Sequence, residues 1–94
     1  MRVVLETTGG FTGMTFRRAF EEAIAPEIED TLHELVSASH FFSLPERLFA
    51  ARDGADRLRY TLTVEEGERH HSVLVEEEAA APAGLIELME YING

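Results

Sequence analysis

The chain has no cysteine, and its eight basic residues, all arginine, face eighteen acidic ones. Without cysteine, disulfides and thiolate metal sites are excluded, so a hydrophobic core must hold the fold alone. The same absence suits a reducing compartment. A net charge of −10 opposes binding to nucleic acid, whose phosphates would be repelled, and to anionic membranes. No apolar run approaches the roughly 18 residues that a membrane span needs. The opening Met1-Arg2-Val3-Val4-Leu5-Glu6 is charged by its sixth residue and holds no apolar leader segment. These absences predict a cytoplasmic protein without nucleic-acid or membrane partners. Acidity itself supplies solubility, and it would steer the chain toward a basic partner surface.

The 94 residues predict one domain, residues 1–94, which at this length buries roughly 60–70% of its unfolded surface. Arg2 to Thr8 alternates Val3, Leu5 and Thr7 against Arg2, Val4 and Glu6, a strand pattern. Met14 to Phe20 alternates again, with Met14, Phe16 and Phe20 on one face, and the two segments predict a hairpin. Pro26 opens a helix whose apolar stripe is Ile28, Leu32, Leu35 and Val36. That helix is expected to fade at Ser37-Ala38-Ser39, before Phe41-Phe42-Ser43-Leu44-Pro45 tucks under the sheet.

Glu46 to Asp56 reads as a polar connection ending in the turn composition Asp53-Gly54-Ala55-Asp56. Arg57 to Glu65 is the clearest strand, with Leu58, Tyr60, Leu62 and Val64 inward. It turns at Glu66-Gly67-Glu68 into a partner strand with His71, Val73 and Val75 on one face. Pro82 begins a last helix carrying Leu85, Leu88, Met89 and Ile92. The expected fold is α+β: a four-stranded antiparallel sheet of two hairpins with two helices on one face. Its order is strand-strand-helix-strand-strand-helix.

Little in this pattern can do chemistry. His33-Glu34-Leu35-Val36-Ser37 begins like the H-E-x-x-H of zinc peptidases, but Ser37 stands where the second zinc ligand is needed. His70 and His71 are neighbours on a strand and point to opposite faces, so they cannot chelate together. His71 reads as a core or edge histidine satisfied by a hydrogen bond. No carboxylate is embedded in apolar sequence that would raise its pKa for acid–base work. We therefore expect no enzyme, no metal, no cofactor and no small-molecule substrate.

Two segments are left as candidate contacts. Gly9-Gly10-Phe11-Thr12-Gly13, followed by Met14, sets one large aromatic among three glycines, which tolerate the left-handed angles of tight turns. Phe11 is either folded onto the core or presented to a partner, as the aromatics that dominate interfaces are. The second segment runs from Ser43 to Asp56, with Phe49 in a polar stretch. On these residues a binding domain is preferred to an enzyme, and a plain interaction or oligomerisation module remains the alternative.

Thr8-Gly9-Gly10-Phe11-Thr12-Gly13-Met14 resembles the S-G-G-F-A-G-I opening of the emfourin family, bacterial protein inhibitors of thermolysin-like (protealysin-like) metallopeptidases. The likeness continues in order through Arg17-Arg18, Leu32, Leu35, Val36 and Phe41-Phe42-Ser43-Leu44-Pro45. It resumes at Gly54-Ala55-Asp56-Arg57, Tyr60, Thr63-Val64-Glu65, Arg69, His71 and Val73. Thr12 and Met14 replace the family's usual Ala and Ile, and the last helix is short. The resemblance implies a non-catalytic domain whose partner is a thermolysin-like metallopeptidase. Such peptidases prefer a large apolar side chain just after the scissile bond, which Phe11, Met14 or Phe49 could supply. Because the glycine segment lacks any strong zinc ligand, blockade by filling the cleft is expected. Any zinc contact would then come from a backbone carbonyl, Asp53 or Asp56.

Overall fold

A computed structural model describes residues 1–9, 14–48, 58–76 and 81–94. Strand β1 (Arg2–Gly9) pairs antiparallel with β2 (Thr15–Phe20) on one side. On its other side it pairs antiparallel with β4 (Leu58–Glu66), which in turn pairs with β5 (Arg69–Val75). Helix α1 (Pro26–Ala38), a 3-10 turn (Phe41–Ser43) and the short β3 (Arg47–Leu48) connect β2 to β4, and α2 (Ala83–Asn93) closes the chain.

The sheet therefore has five strands in the order β2-β1-β4-β5-β3 and is mixed, where the residue pattern predicted four antiparallel strands. The extra strand, β3, lies parallel to β5. It holds two residues, too few to show an alternating pattern of their own. What makes it a strand is the edge of β5: Leu74 N–H donates to Glu46 O and Glu76 N–H to Leu48 O, each at 2.8 Å. The 3-10 turn is likewise additional to the predicted order.

The register puts the predicted apolar sets on one face. Val3, Leu5 and Thr7 oppose Val64, Leu62 and Tyr60, which oppose His71, Val73 and Val75. Side chains directly opposite each other share a face. Val3, Leu5, Leu62, Val64, Val73 and Val75 are buried there against Leu32 and Val36 of α1 and Leu85, Leu88, Met89 and Ile92 of α2. Both helical stripes thus face the core as their spacing predicted. Ile28 and Leu35 pack at its margin.

Phe41 is fully buried, the deepest aromatic among the described residues, with edge-on contacts to the Phe42 and His71 rings at 5.7 and 5.5 Å. His71 Nε2 lies 2.7 Å from Leu44 O and donates to it, so the expected hydrogen-bonded histidine is there. Gly84 brings α2 against the end of α1: a Cβ added there would lie 3.1 Å from the Ser39 Cα. The opposite face of the sheet is polar. Arg2 binds Glu65 and Glu21, Arg17 binds Glu21, and Thr63 meets Ser72.

Candidate functional site

Gly9 is the last residue of β1 and sits directly opposite Leu58, the first of β4. Its φ of +103° is in the range that side-chain-bearing residues rarely adopt, which explains glycine at that point. Thr8 faces Thr15 across β1 and β2, with the two hydroxyls 3.3 Å apart. Leu48 and Tyr60 flank Val75 at this same end of the sheet. The residues bordering 10–13 and 49–57 therefore meet at one end, although the two candidate segments are far apart in sequence.

Of the predicted contact residues, Gly9 and Met14 are described, and Met14 is 56% exposed. Gly10, Phe11, Thr12, Gly13, Phe49, Asp53 and Asp56 lie outside the described residues. The structure adds two apolar side chains at this end, Phe16 at 61% and Leu58 at 46% exposure. The residue pattern assigned Leu58 to the inward face and set Phe16 on one face with Met14 and Phe20. Their face is right, since Phe16 opposes Thr7 and Leu58 opposes Gly9. Leu58, expected inward, is not buried. β2 is an edge strand, all of it exposed except the half-buried Phe20. Alternation reports which face a side chain takes, but not whether a helix covers that part of the face. A shallow groove of about 290 Å³ opens there, lined by Leu5, Thr7, Phe16, Arg18, Tyr60 and Asn93.

The titratable groups cluster elsewhere. Burial pushes the Glu66 carboxyl up, but hydrogen bonds from His33 and Arg69 outweigh it and leave the group below its ordinary value. His33 Nδ1 is 2.8 Å and Arg69 Nη2 2.6 Å from that carboxylate. Arg69 also stacks over Phe42 at 4.3 Å, an exposed cation–π contact. Glu66 thus ties α1 to the β4–β5 turn, a structural arrangement with no reacting geometry. His33 pairs with Glu66 rather than with its sequence neighbour Glu34. On the polar face, hydrogen bonds from Arg17 and then Arg2 hold Glu21 below its ordinary value. Among the described residues, no group of three or more His, Asp or Glu could hold a metal ion. No helix among them is long and apolar enough to cross a membrane.

The arrangement suits binding by surface contact: an apolar end of a sheet at the borders of the two candidate segments, with no titratable pair poised for proton transfer among the described residues. No curated protein and no solved structure matches the chain. The family model of Emfourin, by contrast, matches residues 5–93, nearly the whole chain, and the protein belongs to the emfourin family.

Proposed function

We propose that this domain is a reversible protein inhibitor of a thermolysin-like zinc metallopeptidase and acts by occluding its active-site cleft. The observation that carries this reading is the family match over residues 5–93. The fold is consistent with it, because Gly9, Met14 and Leu58 border both candidate segments at one end. We assign the contact to Gly9, Gly10, Phe11, Thr12, Gly13 and Met14, with Phe49, Asp53 and Asp56 from the second segment. A tight complex of this kind buries about 800 Å² on each partner. The domain performs no chemistry in this reading. The peptidase supplies the zinc and the catalytic residues, and we place both proteins in the cytoplasm.

The test is titration of a thermolysin-like peptidase with the purified domain while a peptide substrate is hydrolysed. Stoichiometric loss of activity is expected. Full activity at micromolar domain, across several such peptidases, would leave a non-inhibitory interaction module as the better description. Where inhibition is seen, Phe11→Ala is expected to weaken it by about 2 kcal/mol, the loss typical of an interface aromatic. An unchanged inhibition constant in a folded variant would move the contact to residues 43–56.

A further inference from the structure

Strand β2 holds Thr15, Phe16, Arg17, Arg18, Ala19 and Phe20, and among the described residues its outer edge has no strand beside it. An exposed edge offers unpaired backbone N–H and C=O groups to another strand. This one contains no proline to interrupt such pairing. Its side chains also have a definite pattern. Phe16, Arg18 and Phe20 oppose Thr7, Leu5 and Val3, so they share the helix-bearing face as an apolar-cation-apolar row.

Arg17 and Arg18 differ in their surroundings. Arg17 points to the polar face and binds Glu21 at 2.7 Å. Arg18 lies on the helix-bearing face beside Leu5 and Tyr60, at the rim of the groove that opens next to Phe16. No carboxylate among the described residues pairs with it. In a chain with eighteen acidic residues, an arginine on an open edge that pairs with no carboxylate among the described residues is left to meet one from a partner.

A second copy of this chain in full overlap does not suit the edge. Continuing the sheet about a two-fold axis through the middle of β2 sets either Arg17 or Arg18 opposite its own copy, and like charges directly opposite are destabilising. We propose instead that β2 is a strand-addition site for an extended segment of a partner protein with the pattern apolar-x-carboxylate-x-apolar. The carboxylate lies opposite Arg18, and the apolar residues lie opposite Phe16 and Phe20. Main-chain hydrogen bonds supply the pairing, and the alternate side chains supply the selection. The groove at Phe16 accepts one of the two apolar side chains. This site does not depend on inhibitory activity.

The experiment uses a blocked peptide, Ser-Val-Thr-Glu-Thr-Val-Ser, and its counterpart with Lys in place of Glu. Each is titrated into the labelled full chain and followed by backbone amide shifts. The Glu peptide is expected to shift the amides of residues 15–20 and to bind on the order of three- to tenfold more tightly than the Lys peptide. Arg18→Glu, at an exposed position with no ion pair among the described residues, should keep the wild-type melting temperature and reverse the preference. Equal affinities for the two peptides would overturn the proposal. So would shifts centred away from residues 15–20, or no binding at millimolar peptide. Concentration-dependent shifts of the same amides without peptide would assign the edge to self-association and equally overturn it. Loss of peptidase inhibition is not the readout, so a failed inhibitor assay leaves this result interpretable.

Discussion

Phe41 and Phe16 are the same residue type in opposite settings, and they set the range of what a single side chain contributes here. Phe41 is fully buried between the helices and the sheet, whereas Phe16 is 61% exposed at the open edge. Truncating Phe41 removes a large apolar volume that its neighbours cannot refill, so Phe41→Ala is expected to cost about 3–5 kcal/mol. Phe16→Ala is expected to change stability by no more than about 0.5 kcal/mol. Urea unfolding of both variants beside the wild type measures the contrast, and similar losses at the two sites would contradict the burial pattern. The deep position of Phe41 was legible from the apolar run that ends at Pro45. The exposure of Phe16 was not, because its apolar character and alternation match those of a core strand. What distinguishes it is its place on the edge strand β2.

Among the elements, α1 and the β4–β5 turn are joined by polar as well as apolar contact through Glu66. Its pKa lies below the ordinary carboxylate value, with burial opposing the shift and the His33 and Arg69 hydrogen bonds producing it. A depressed folded-state pKa means that the ionised group stabilises the fold above the unfolded-state value. That contribution is lost as pH falls through the folded-state value. Glu66→Gln should therefore be less stable than wild type at pH 7, and the difference should narrow steadily between about pH 5 and pH 3. Urea midpoints across that range check it. A constant difference would mean that the carboxylate's charge is not what stabilises the junction. The helices and the long strands were readable from period alone, since each carries enough residues to repeat its pattern. β3 was not readable, because two residues cannot show a period and its strand conformation comes from hydrogen bonds to β5.

For the whole molecule, the described residues hold no cluster fit for a metal, and the core is apolar. Neither added zinc nor a chelator should move the melting temperature of the isolated domain. A shift of several degrees with either would reveal a site involving residues beyond those described. Composition and periodicity by themselves determined the α+β class, the two apolar helix stripes and the inward strand faces. The chain-wide resemblance, read in the sequence as well, pointed to the family. These properties are local or sum over the chain, so the linear order of residues carries them. Strand order across the sheet, and therefore which strand is left at an edge, is a property of non-local pairing. Only the tertiary structure decided that, among the described residues, β2 has no strand on its outer side and Arg18 pairs with no carboxylate, and that Gly9 and Leu58 bring the borders of two distant segments together. The physical reason is that burial and charge pairing depend on what comes to lie beside a residue, and those neighbours are supplied by the rest of the chain.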